Sequence, residues 1–121
     1  MTSGFLYSSL LSSYKQIKHG FGTWKSAPPE NLIMAKQVHS SDVIIVGEPV
    51  LQAKKTGDAL ITNIPNISLG VSTADCVPLL LYDPLHHIVG AVHIGWRGAV
   101  KGIIRNTIET LDKKFGVSPQ D

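Results

Sequence analysis

Only one cysteine, Cys76, stands among the 121 residues, so no disulfide can join this chain to itself. That scarcity suits a reducing compartment. A dominant sign of charge is also missing: the formal net charge is +2. The basic residues are scattered, and the densest pair is Lys113 and Lys114. A nucleic-acid binder clusters Lys and Arg and interleaves aromatics with them. The lysine pair fits instead the end of a helix, where cations meet unpaired carbonyls. No apolar run approaches the roughly 20 residues that a membrane span needs. The opening MTSGFLYSSLLSSYKQIKHG has no basic n-region, no uninterrupted apolar stretch and no A-x-A site, so it does not read as a signal peptide. No nucleic-acid partner, no membrane partner and a cytoplasmic location are the expectations. Internal repeats, low-complexity segments, H-E-x-x-H and C-x-x-C are absent too.

What remains is a globular balance, with 43% apolar and 17% charged residues. The length fits a single domain over residues 1–121, long enough to bury a core without staples. Phe5 to Tyr7 and Leu10-Leu11 read as an opening strand or arm. Pro28 and Pro29 make Ser26 to Asn31 a turn or loop. Ile33–His39 and Val43–Val46 read as two strands joined by the polar turn Ser40-Ser41-Asp42. Asp58–Thr62, Ile67–Ser72, Val77–Tyr82 and Ile88–Ile94 come next as further strands. Gly70 inside one of them marks a close approach of another backbone or a ligand. The last strands are almost continuously apolar, as in a sheet covered on both faces. Val100, Ile103, Ile104, Thr107, Ile108, Leu111 and Phe115 form one helical stripe, stopped by Gly116 with Pro119 beyond. The fold class is therefore α/β (α+β), a mixed central sheet with a C-terminal helix packed on it.

Three short clusters carry the chemistry-bearing residues. They are Lys36 to His39, Ser72 to Cys76, and His93 to Gly98, each at or near an expected strand end. Imidazole and thiolate are zinc ligands, and a His39–Cys76–His93 set would leave the fourth tetrahedral position open. Taken singly, the three have plainer readings: Cys76 as a buried small hydrophobe, and the histidines as ordinary hydrogen-bonded side chains. A Cys76 nucleophile with His93 or His39 as base is the competing catalytic reading. Spacing does not choose among these.

Gly57-Asp58-Ala59-Leu60-Ile61-Thr62, the run Leu69 to Asp83 containing T-A-D-C-x-P, and Val92 to Gly98 containing H-x-G-W-R-G closely resemble the YfiH-like family. Gln37-Val38-His39 matches its Q-V-H motif, and the motifs keep family order across about residues 32–116. Members carry laccase-domain or multicopper polyphenol oxidase labels. They are described as zinc-dependent purine nucleoside phosphorylases that also deaminate adenosine. The resemblance implies a layered sandwich of which this chain is the shortened, N-terminal half. It implies His39, Cys76 and His93 as metal ligands and catalytic trio, with zinc favoured over copper. It implies Arg97 as a phosphate or anion binder ahead of a helix, and a purine nucleoside and phosphate as small-molecule partners. Asp75 reads either as a catalytic carboxylate or as a turn-forming residue, and Asp58 shares that ambiguity. His19 reads as substrate-binding or structural. Trp96 reads as a packing anchor rather than a base-stacking platform, and His86-His87 as solvated loop histidines.

Two departures from the family pattern stand out. The segment Gly22 to Pro29 runs almost directly into Asn31, where the family carries a Gly-Gly-Val-Ser-like stretch and a helix. A G-P-x-I-like motif with further strands is also missing after Ser118. The expectation is an exposed sheet edge through which the chain self-associates. Alternatives to the phosphorylase are a Cys-His hydrolase of a peptidoglycan precursor, a copper polyphenol oxidase and an inactive relic. Copper oxidase chemistry needs several sites rich in histidine, and only five histidines are present.

Overall fold

The computed structural model describes residues 4–23, 26–27, 29, 31–47, 56–118 and 120. Trp24, Lys25, Pro28, Glu30 and the expected helix-stopping Pro119 lie outside the described residues. The chain divides into two compact units, residues 1–30 and 31–121.

In the first unit, β1 (Phe5–Leu6) pairs antiparallel with β2 (Phe21–Gly22). Leu10 and Leu11 are not strand residues: they lie in α1 (Ser9–Ser12). Ser8 caps that helix by accepting from the Leu11 N–H, a role Ser fills well because its short hydroxyl reaches an orphan donor.

The second unit holds β3 (Leu32–Ile33), β4 (Val43–Ile45), β5 (Ala59–Thr62), β6 (Ser68–Leu69), β7 (Val77–Asp83) and β8 (Ile88–Ile94), then α2 (Trp96–Lys101) and α3 (Ile103–Phe115). Its main sheet runs β4-β5-β8-β7, with β4 parallel to β5 and the other neighbours antiparallel. The mixed sheet with C-terminal helices is the fold class read from the sequence. Side chains alternate across it. Ala59, Ile61, Val92 and Ile88 face the helical side, packed with Ile103 and Leu111 of α3. Leu60, Ile44 and Val46 face the other side, packed with Ile33, Ile67 and Leu69 around the short parallel β3–β6 ladder. Pro78 sits on the edge strand β7. Its partner His93 sends its own N–H to the Asp58 carbonyl just ahead of β5. The missing N–H of Pro78 therefore points outward and costs the sheet no bond.

Three expectations are corrected. Ile33–His39 is not one strand, since β3 covers only Leu32–Ile33, while Val43–Val46 is strand as far as Ile45. β3 pairs with β6 and β4 with β5, and His39 has a left-handed φ of 59° that no regular strand accepts. Ile67–Ser72 shortens to β6, and Gly70 admits the Leu32 side chain, whose Cδ atoms would lie 2.9 Å from a Cβ there. The single terminal helix is two helices, divided at Gly102 with φ 87°. The buried face of α3 is Ile103, Thr107 and Leu111, so Val100 and Ile104 are exposed outliers of the expected stripe. Gly116, with φ 70°, ends α3 as expected.

Candidate functional site

Asp58 immediately precedes β5, a fully buried strand, and is itself 1% exposed. Its carboxylate accepts from the backbone N–H groups of Val38 (3.1 Å), His39 (3.1 Å) and Ser40 (2.9 Å) and from the Ser40 hydroxyl (2.8 Å). The same group meets His93 Nδ1 at 2.6 Å. Burial by itself raises the carboxyl pKa. The donors of Ser40, His93 and Val38 outweigh it and bring the value from 3.8 to about 2. An ionised Asp58 makes Nδ1 of His93 the protonated nitrogen and leaves Nε2 bare as a lone-pair donor. The four remaining bonds fold residues 38–40 into the turn that places His39.

His39, Cys76 and His93 then converge. One ligand atom from each lies within 4.8 Å of the others. The two imidazole rings meet edge to face, 5.3 Å between centroids. His93 is 4% exposed, Cys76 half-buried and His39 exposed, so the group opens to solvent on the His39 side. Gly95, immediately after β8, completes it from below. A Cβ there would lie 3.0 Å from His39 Nδ1 and 3.3 Å from Cys76 Sγ. Gly98 in α2 lets the helix approach the same turn, since a Cβ would lie 2.9 Å from the Ser40 carbonyl. Asn106 of α3 donates to the Ser41 carbonyl at 2.9 Å.

Asp75 is exposed and lies outside the three-ligand cluster. Arg97 is exposed, its guanidinium 5.2 Å above the centre of the Trp96 ring. Trp96 is 74% exposed and does not anchor packing here. α2 turns it outward, because its backbone-facing neighbours Gly95 and Gly98 take the buried side. His19 belongs to the first unit, where its Nε2 accepts the Ser8 N–H at 2.8 Å and its ring stands edge-on to Tyr7. His86 is not simply solvated: its Nδ1 lies 2.6 Å from the buried Asp83 carboxylate at the β7–β8 turn. Sequence reasoning singles out Asp58 but leaves its role open, and a lone Asp before an unbroken apolar strand is its signal. The space kept at Gly95 is missed, since it shows only in the folded contacts.

With two imidazoles and a thiol, the donor set fits zinc. Tetrahedral zinc with bonds of roughly 2.0–2.3 Å separates its ligand atoms by roughly 3.4–3.8 Å, and the three atoms here lie within 4.8 Å of one another. The space kept by Gly95 and the tautomer enforced by Asp58 are what such a site requires. Among the described residues there is no second group of three His, Cys or acidic side chains able to hold a metal.

This site lies within a stretch that matches known proteins. A family profile described as multi-copper polyphenol oxidoreductase laccase matches residues 15–121. The chain belongs to that family. A purine nucleoside phosphorylase of Bacteroides thetaiotaomicron is 41% identical over 101 residues, which are 77% of this chain and 37% of the relative. Another from Aquifex aeolicus is 43% identical over 88 residues, 70% of this chain and 40% of the relative. The chain thus spans less than half the length of these relatives. Among solved structures, YfiH of Bacillus licheniformis superposes with a TM-score of 0.69 at 31% identity, over 75% of this chain and 37% of that one. YlmD of Geobacillus stearothermophilus gives 0.67 at 28%, over 74% and 36%.

Proposed function

We propose that this chain carries the zinc-binding part of a purine nucleoside phosphorylase site, with His39, Cys76 and His93 as ligands. The observation that carries the reading is their convergence inside the segment shared with relatives of that name. When bound, zinc supplies Lewis acidity at the position the three ligands leave open. The chain's own residues do the rest. Asp58 holds the His93 proton on Nδ1. The Asp58-bound turn presents His39 to solvent, and Cys76 would offer its sulfur to the metal. Arg97, braced on Trp96, offers a forked set of donors to phosphate. Asp75 supplies a carboxylate on the exposed side of Cys76. In phosphorolysis, a phosphate oxygen bonds to C1′ of the ribose as the bond from C1′ to the purine nitrogen breaks. The electron pair leaves with the base, which takes up a proton, giving ribose 1-phosphate. Deamination of adenosine at C6, with water in and ammonia out, belongs to the same proposal. The location proposed for this chemistry is the cytoplasm, and no helix among the described residues is long and apolar enough to cross a membrane.

The test is incubation of the zinc-loaded chain with inosine or adenosine and phosphate, followed by chromatography. Free base with ribose 1-phosphate is expected, and adenosine is expected to yield inosine as well. No turnover with zinc bound removes the activity from this chain. The nearness of Cys76 to the two histidines also admits thiol chemistry. Cys76→Ser separates the two: lost activity at unchanged metal content favours the thiol, while joint loss favours zinc.

A further inference from the structure

Two of the three ligands are tied together through one buried carboxylate, because Asp58 holds both His93 and the His39 turn. Cys76 has no share in that carboxylate. It ends a segment, residues 71–76, that lies between β6 and β7 and belongs to neither ladder. Residues 72–75 are exposed. What joins this segment to the His39 side is the Gln37 amide. Its Oε1 accepts the Ser72 N–H at 2.7 Å, and its Nε2 donates to the Ser72 carbonyl at 2.7 Å. A primary amide facing a peptide in this way reproduces both bonds of a strand pairing with a side chain. It takes over where the β3–β6 ladder ends at Ile33 and Leu69 and the Gly70 N–H makes its last bond to the Ile33 carbonyl.

We infer that Gln37 is a positioning residue for the thiol ligand. Its amide clamps Ser72 and so sets how far Cys76 stands from the two histidines. The inference rests on the zinc reading above and deepens it. Both bonds of the clamp are exposed, so each adds little to global stability. Their effect falls on the arrangement of the site, since a ligand that must be ordered on binding weakens the complex. Residues behind a metal ligand characteristically change affinity by about 10–100-fold when removed.

The experiment compares the wild-type chain with Gln37→Ala and Gln37→Glu. Zinc affinity is measured by competition with a chromophoric chelator. Hydrogen exchange at the Ser72 amide and the alkylation rate of Cys76 are measured in metal-free protein. Gln37→Ala is expected to lower zinc affinity about 10-fold, to speed Ser72 exchange several-fold and to leave the melting temperature of the metal-free chain nearly unchanged. Gln37→Glu keeps the shape and the acceptor but sets a carboxylate oxygen against the Ser72 carbonyl, so it is expected to fail to restore affinity. Wild-type zinc affinity in Gln37→Ala, or full affinity in Gln37→Glu, overturns the inference. If the wild-type chain takes up no zinc, the metal reading fails on its own. Gln37 is then judged by Ser72 exchange and Cys76 alkylation, and unchanged rates in Gln37→Ala overturn it.

Discussion

At the scale of the residue, Asp58 has the strongest physical consequence. Its carboxyl is held at about 2 against an ordinary 3.8, so its bonds favour the folded state while it is ionised. Because the folded value is the lower one, the contribution is fully present above about pH 4 and is lost as pH falls towards 2. Its size is about 2 kcal/mol. In Asp58→Asn an amide NH2 replaces one acceptor among five donors. Acid unfolding observed by circular dichroism is expected to show lower stability at neutral pH. The stability difference from wild type should shrink below about pH 4. A constant difference down to about pH 2 would show that the carboxylate is not the source. In the sequence Asp58 is visible as a candidate suspended between two roles. The choice depends on His93 and the turn 38–40 reaching it from 35 and about 20 positions away, and spacing does not report such closures.

At the scale of the element, the hydrophobic pattern locates β5, β7 and β8 to within a residue or so, because buried strands of a central sheet are apolar on both faces. It fails where side chains rather than periodicity shape the backbone. Residues 34–40 leave the ladder to serve Asp58 and the site, and a left-handed His39 has no signature in composition. The terminal helix shows the same limit. Seven apolar or Thr positions satisfy one stripe, yet Gly102 in a left-handed conformation turns the chain before α3 begins. Ile103, fully buried, and Val100, 81% exposed, make the contrast measurable. Ile103→Ala is expected to cost about 3 kcal/mol in chemical denaturation. Val100→Ala is expected to change stability by less than about 0.5 kcal/mol. Equal losses would restore the single continuous helix.

At the scale of the whole molecule, the ligands come from a turn, a loop and a strand of one unit, so a bound ion adds cross-links that the unfolded chain lacks. Ligand linkage then predicts a melting temperature that rises with free zinc, by about 2.7 kcal/mol at a hundredfold excess over Kd, or on the order of 10 °C for a chain of this size. Calorimetry with and without chelator is the measurement, and a melting temperature indifferent to zinc at saturating occupancy would contradict the shared-ligand arrangement. Cys76 adjoins β7 and His93 lies near the end of β8, while His39 comes from the turn ahead of β4, so the trio is legible in the sequence through the family motifs and not through spacing. The outward Trp96–Arg97 pair is not legible, because exposure is decided by which side of α2 the sheet occupies.

Gly95 carries one more implication, for engineering. Its φ of −88° and ψ of 169° are open to any residue, so the backbone does not ask for glycine; only the neighbouring His39 and Cys76 do. A methyl group at this position would crowd His39 and Cys76 while the backbone stays in an ordinary conformation. Gly95→Ala is therefore a matched blank, with the same frame and the same three ligands but less space between them, against which metal-dependent properties can be calibrated.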